Sequence, residues 1–306
     1  MKRMKPVRLA TAALALALAA SAAFAQAPAT AQSGAQAKPA PAKPAAPAAP
    51  RYFEKLAYPK LNDIKVPEVV QDTLPNGMRL LLVEDHQLPM IQFRAVVRGG
   101  RLAEPKGKAG LAELFGEVQR TGGVKSMSGD KVDEFLERIG ASIETNVDEA
   151  YCLATAKTLT EHLDKVLPLY AEFLVEPAFS QDKIDLAKTQ LKGEIARRND
   201  QVMQVAIREY LKLVYGKESP YARQFEYDDI EGLTRDDLVA MHTLCFYPDQ
   251  TILAVWGDFK VPEMKEKLAK AFERWPKGRA KTEFPEPFVF PPAPSVNYVN
   301  KTDVEQ

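Results

Sequence analysis

Thr73-Leu74-Pro75-Asn76-Gly77-Met78-Arg79-Leu80-Leu81-Leu82-Val83-Glu84 joins a proline and an Asn-Gly turn signal to an unbroken aliphatic run. Asn-Gly supplies the positive-φ residues a tight turn needs, and a short aliphatic run bounded by turn residues fits a buried strand. The stretch predicts a hairpin that opens the folded region, with Arg79–Glu84 as the strand it feeds. Ile91 to Val97 makes a second strand and stops at Gly99-Gly100.

Outward from this pair the period changes from strand to helix. From Ala109 to about Arg120, after a Gly/Lys-rich approach at Pro105–Gly110, the apolar residues Leu111, Leu114, Phe115 and Val118 recur at helical spacing. A second helix is expected from Gly129 to Ile139, with Val132, Phe135, Leu136 and Ile139 as its core stripe and Ser128 as its cap. Ala141 to Thr158 reads as paired strands. Thr160–Val175 and Ser180–Glu209, extending toward Tyr215, read as long helices parted by Pro177. Leu233–Cys245 is a helix opened by Thr234 with acid at its third position, Thr251–Trp256 is a buried strand, and Pro262–Trp275 is the last helix.

This order predicts an α+β domain, an antiparallel sheet with helices packed on one face. A doubly wound parallel sheet fits worse, because strand and helix do not alternate regularly and no Gly-rich phosphate loop is present.

The flanks carry a different message. Lys2, Arg3, Lys5 and Arg8 precede an apolar run from Leu9 to about Ala20 and then Ala23-Phe24-Ala25. That is the layout of a secretory signal peptide over residues 1–25, with an apolar run too short to span a bilayer comfortably. The mature protein is therefore expected to be exported, periplasmic or extracellular, with no integral membrane segment. Residues 26–50 are an Ala/Pro-rich disordered tether, residues 51–282 the α+β domain, and residues 283–306 a Pro-rich linker followed by the start of a truncated second domain. Val296-Asn297-Tyr298-Val299 is the expected first strand of that second unit.

Lys plus Arg and Asp plus Glu both number 41, so no net field attracts nucleic acid or an anionic membrane. Cys152 and Cys245 are the only cysteines; in an exported chain they are either one disulfide or two buried thiols.

The chemistry worth testing lies on the first helix, in Glu113-Leu114-Phe115-Gly116-Glu117. Side chains at i and i+4 share a helix face, the spacing helical zinc sites use for two imidazoles. Here that spacing carries two carboxylates. With Glu194 as a distant third, the set suits a hard cation such as Mg²⁺ or Ca²⁺ better than Zn²⁺. The alternative is an ordinary solvated helix face. His86, His162 and His242 share no ligand spacing and read as surface or packing residues. Arg197-Arg198-Asn199-Asp200 reads as a helix-end ion pair or cap, and Ser126 and Ser128 have no histidine nearby to activate them.

Several of these segments together resemble the pitrilysin/insulinase family of inverted-motif zinc metallopeptidases. They are Leu74–Leu80, Arg98-Gly99-Gly100-Arg101 with Gly107–Ala112, Ile139-Gly140-Ala141-Ser142, Pro177-Ala178-Phe179 with the helix to Glu194, Ser219-Pro220-Tyr221, and Tyr247-Pro248-Asp249 through Phe259. The resemblance spans roughly Thr73 to Trp275, and Asn300–Gln306 looks like the start of a second homologous half. It implies two related α+β halves around a chamber, with zinc held in the first half by an H-x-x-E-H motif. On this sequence Glu113 falls at the first histidine, Gly116 at the general base, Glu117 at the second histidine and Glu194 at the third ligand. The family's acidic residue two turns before that ligand is Ala187.

The resemblance thus implies a motif-deficient half with no catalytic residue and no retained zinc ligand set. The expected role is a non-catalytic partner that forms a peptide-binding chamber, as a heterodimer, with a homologue carrying an intact H-x-x-E-H. Its edge strand near Ala141–Ala154 would accept an extended peptide by strand pairing. Two other readings stand beside it: a metal-dependent endopeptidase using Glu113, Glu117 and Glu194, and a structural or assembly protein that has kept only the fold.

Overall fold

Six strands form one sheet in the computed structural model, which describes residues 59–60, 66–278, 283–284 and 296–300. The expected signal peptide, the 26–50 tether and most of the 283–306 linker lie outside the described residues. All elements belong to the unit Ile64–Gln306.

The strands are β1 (Val70–Thr73), β2 (Arg79–Glu84), β3 (Met90–Arg98), β4 (Ser142–Val147), β5 (Tyr151–Leu159) and β6 (Thr251–Gly257), in the order β1-β2-β6-β3-β5-β4. The Asn-Gly turn joins β1 to β2 as expected: Gly77 takes φ 95°, and the Asn76 side chain accepts from the Met78 amide and donates to the Phe272 carbonyl. All pairings are antiparallel except β2 with β6, which is parallel. The expected antiparallel sheet is thus present, with this one parallel pair inside it. β2 and β3, joined by a short connection, run in opposite directions, so a strand inserted between them must be parallel to one. β6 arrives last and fills that gap.

The helices are α1 (Leu111–Thr121), α2 (Gly129–Ile139), α3 (Leu163–Val175), α4 (Gln181–Arg197), α5 (Val202–Tyr215), α6 (Tyr227–Glu231), α7 (Arg235–Cys245) and α8 (Val261–Ala271). The expected single helix Ser180–Glu209 is broken at Arg198–Gln201. Asn199 and Asp200 there compete with the helical backbone for hydrogen bonds. The Arg208 guanidinium holds the break by donating to the Arg198 carbonyl (3.0 Å) and to Asn199 Oδ1 (2.6 Å). Ser128 occupies the N-cap position of α2 but its side chain makes no capping bond, whereas Thr234 caps α7 in a full capping box with Asp237. Val296–Val299 forms no strand; Val296 and Tyr298 are exposed, and among the described residues no strand pairs with the segment.

Alternation places one set of sheet side chains in the core: Leu80, Leu82, Ile91, Phe93, Ala95, Val97, Cys152, Ala154, Leu253 and Val255 are all buried against helices. Each fully buried large aliphatic or aromatic side chain there contributes about 1.5–3 kcal/mol. Tyr170 of α3 ties the layers together, its buried hydroxyl accepting from the Ala95 amide and donating to the Ala154 carbonyl. The other face is only partly covered: Leu81, Val83, Val96, Leu153, Ile252 and Trp256 are half-buried, and Arg94 and Lys157 are exposed.

A candidate site where carboxylates meet arginines

α1 is held at the end of the sheet by glycines that let backbone approach backbone. Gly100 takes φ 89°, and a Cβ there would stand 2.3 Å from the Asp148 carbonyl oxygen. That close approach lets the Arg101 and Leu102 amides donate to the Asp148 and Glu149 carbonyls in the β4–β5 turn. The chain then makes a short 3₁₀ turn, Arg101–Ala103, and enters α1 through Gly110 at φ 84°.

This path delivers Glu104 to the N-terminal turn of α1. Its side chain is 1% exposed; Oε1 accepts from the Ala112 amide (2.7 Å) and Oε2 from Arg223 Nη2 (2.5 Å). A helix start offers unsatisfied amides and the positive end of the helix dipole, which suits a carboxylate. Burial nevertheless raises the Glu104 pKa to about 7, with the neighbouring Glu113 charge pushing the same way.

Glu113, one turn into α1, is mostly buried, and its Oε2 has no hydrogen-bond partner among the described residues. Burial raises its pKa; Arg101 and Arg223 act against that rise and Glu194 of α4 adds to it. The structure therefore brings Glu113, Glu104, Glu194, Arg101 and Arg223 into one electrostatic cluster. Glu117 is exposed, and the Gly116 position faces β4, where a Cβ would meet Val147 Cβ and Cγ2 at 3.3 Å. A small cavity of about 250 Å³ opens above, lined by Arg101, Ala112, Glu113, Val147, Asp148 and Glu149. A larger groove of about 780 Å³, lined from α3 and α8, shares no residue with it.

Zinc, which the resemblance implies, does not fit these residues. No imidazole is present: His86 pairs with Asp258 (2.7 Å), and His242 is packed on Phe246 with Nε2 donating to the Leu174 carbonyl (3.0 Å). Burial depresses the His242 pKa to about 4. Among the described residues no three His, Cys, Asp or Glu side chains are arranged to hold a metal ion. The positive charge at the carboxylates comes instead from two guanidiniums, which repel a cation. A side chain at the Gly116 position would press on Val147, which would have to give by a few tenths of an ångström.

The adjoining edge strand is β4 alone; β5, included in the expected edge region, lies between β3 and β4. The Asp148 amide donates to the Tyr151 carbonyl across the turn, so Asp148 and Tyr151 are a hydrogen-bonded pair. Antiparallel ladders alternate, which points the amides and carbonyls of Ile143, Thr145 and Val147 away from β5, toward the open edge. The Ile143 carbonyl is already engaged by Arg120 Nε (2.5 Å).

Sequence reasoning found Glu113 and Glu117 through helical spacing, and Glu194 as a distant carboxylate at the third-ligand position that the resemblance implies. It missed Glu104 and Arg223, which lie 119 positions apart and follow no periodic pattern. Glu104-Pro105 just before a Gly-rich helix approach was the one local signal for a carboxylate at a helix start.

The family model described as Insulinase (Peptidase family M16) matches residues 79–227. A Helicobacter pylori protein named "Non-peptidase homolog YmxG" is 24% identical over 230 residues, 74% of this chain and 50% of that protein. "Zinc protease PqqE" of the same organism is 24% identical over 206 residues, 66% of this chain and 46% of that protein. A crystal structure described as a peptidase M16 inactive domain from Pseudomonas fluorescens superposes with a TM-score of 0.66 at 23% identity, covering 72% of this chain and 54% of that one. The chain spans about half the length of the curated relatives it matches.

Proposed function

We propose, from the premise that this chain carries a domain of peptidase family M16, the insulinase family, that it is a non-catalytic, exported partner subunit. In this reading it works without bound zinc. Beside a homologue that carries an intact H-x-x-E-H motif, it supplies chamber wall and a peptide-binding edge. The observation that carries the reading is the charge arrangement at the motif positions. Glu113, at the first ligand position, stands in the field of Arg101 and Arg223, and Gly116, at the base position, has nothing to accept a proton from water. Glu117 and Glu194 are then vestigial positions.

The remaining surface suits binding. The partly covered sheet face presents half-buried Leu81, Val96, Leu153 and Trp256 beside exposed Arg94 and Lys157, a wall with both apolar and cationic groups. At the edge of β4, Thr145 and Val147 turn backbone groups outward, which an extended peptide would pair with at two-residue intervals. Arg120 at the Ile143 carbonyl limits that pairing to the turn-proximal part of the strand.

The test combines the purified chain with its H-x-x-E-H homologue from the same organism. Stable co-elution, and peptide hydrolysis that needs both chains and survives Glu194→Ala in this one, supports the proposal. Stoichiometric zinc on the isolated chain, with peptide cleavage abolished by Glu194→Ala, overturns it in favour of an endopeptidase built on Glu113, Glu117 and Glu194. Absence of any complex with the homologue also overturns it, leaving the structural or assembly role.

A further inference from the structure

The chain has two cysteines, and the fold brings them to the same glycine. Cys152 lies on β5 opposite Val97 of β3, and Cys245 is the last residue of α7, ninety-three positions later (245 minus 152). Cys152 is 1% exposed and Cys245 is fully buried. A Cβ at Gly99, which follows β3, would stand 2.9 Å from Cys245 Cβ, 3.1 Å from Cys245 Sγ and 3.6 Å from Cys152 Sγ. Both sulfurs therefore border the single space that this glycine leaves open, with no side chain at Gly99 to separate them. The proximity is also electrostatic: after burial, the Cys245 sulfur is what most holds the Cys152 thiol above its ordinary range.

Both sulfurs stand as thiols in the structure. A buried thiol of this kind is inert, because exchange chemistry needs a thiolate and access. A bond between the pair must accordingly form while the chain folds, before the end of α7 closes over β5. Disulfide geometry requires Cβ atoms about 3.5–4.5 Å apart; χ1 rotation swings the two sulfurs toward each other across the space beside Gly99, and the backbone sets the Cβ separation while the chain is still folding.

We propose that Cys152 and Cys245 form one intrachain disulfide that ties the interior strand β5 to the C-terminal end of α7. The oxidant is a disulfide-carrying thiol oxidoreductase, or glutathione disulfide in vitro. One thiolate attacks the carrier's S–S bond to give a mixed disulfide and release a carrier thiol. The second thiolate then displaces the other carrier sulfur and closes the Cys152–Cys245 bond. Two S–H bonds are lost from the chain, and two electrons and two protons end on the carrier as two thiols. The proposal does not depend on the peptidase-family reading, and its failure would leave that reading untouched.

The experiment secretes the full chain into a bacterial periplasm and purifies it without reductant. In parallel, reduced, denatured chain is refolded in a glutathione redox buffer. Each product is denatured with an alkylating reagent present and weighed. The expected result is a chain with no alkyl groups, lighter than its reduced form by two hydrogen atoms, and a digest in which the Cys152 and Cys245 peptides travel together until reductant is added. Two alkyl groups on most chains in both preparations overturn the proposal, as do glutathione adducts or cross-links between chains in place of the intrachain pair. The same preparations are unfolded in urea with and without reductant. The midpoint should fall on reduction for the natural chain and be unmoved for Cys245→Ala; an equal response of the two proteins counts against the bond.

Discussion

Replacing Glu104 by Gln tests whether the buried carboxyl cluster is what its surroundings make it. Glu104 is 8% exposed, and burial together with the Glu113 charge raises its pKa from 4.5 to about 7. At about 1.4 kcal/mol per pKa unit, that difference of about 2.5 units is worth about 3 kcal/mol, an order-of-magnitude figure shared with Glu113 because the two titrate together. The sign follows from proton counts. Between pH 4.5 and 7 the folded chain holds a proton that the unfolded chain has released, so stability falls as pH rises and the full penalty is present above pH 7. Below pH 4.5 the carboxyl is neutral in both states and contributes nothing. His242 runs the opposite way across the same range: its pKa is depressed from 6.5 to about 4, so its stability contribution is present above pH 6.5 and lost as pH falls toward 4. The natural protein should therefore show little net pH dependence in this window. Urea unfolding followed by circular dichroism at pH 5 and pH 8 isolates the Glu104 part as the difference between natural chain and Glu104→Gln. The natural chain should lose about 2.5 kcal/mol relative to the variant on going from pH 5 to pH 8, the rest of the penalty having been incurred below pH 5. A difference that is the same at both pH values within about 0.5 kcal/mol, the usual additivity error, would refute the reasoning.

Three further outcomes follow from the same structure. Arg223→Met removes the partner of a buried carboxylate and should cost about 3–5 kcal/mol at pH 8, with a smaller deficit at pH 5 where Glu104 takes up a proton; a pH-independent deficit in urea unfolding counts against the pairing. His242→Phe should keep the aromatic stack on Phe246 but lose the bond to Leu174, costing about 1 kcal/mol at pH 8. Its loss of stability between pH 6.5 and 4 should be smaller than that of the natural chain, read from the same titration. Gly100→Ala forces a Cβ against the Asp148 and Glu149 carbonyls at a positive φ, and should destabilise by more than about 2 kcal/mol, seen as a lowered melting temperature.

Local chemistry in the sequence carried most of the elements. The Asn76-Gly77 turn, the stripes of α1 and α2, and the Thr234–Asp237 capping box are short-range statements, and the structure realises each of them. What local chemistry cannot express is which strand lies beside which. Nothing near Thr251–Gly257 marks it as the strand between β2 and β3, because that placement is settled by the packing of the whole chain. The site divides in the same way. Glu113 and Glu117 were visible as an i, i+4 pair, but helical spacing alone made them equivalent. Tertiary packing separates them, burying Glu113 among arginines and leaving Glu117 in solvent. The break between α4 and α5 had its signal in Asn199-Asp200, which the surrounding run of helix formers outweighed.

The late arrival of β6 has a consequence for how the polypeptide is made. Until residues 251–257 leave the ribosome, β2 and β3 each present an unpaired rim, and the hydrogen bonds that join them through the sheet cannot exist. Non-local pairing of this kind delays folding, since a long loop must be closed before any reward is collected. The nascent chain accordingly stays threadable until residue 257 has emerged. A version cut short before Gly257 would be left with two sticky margins and a tendency to aggregate.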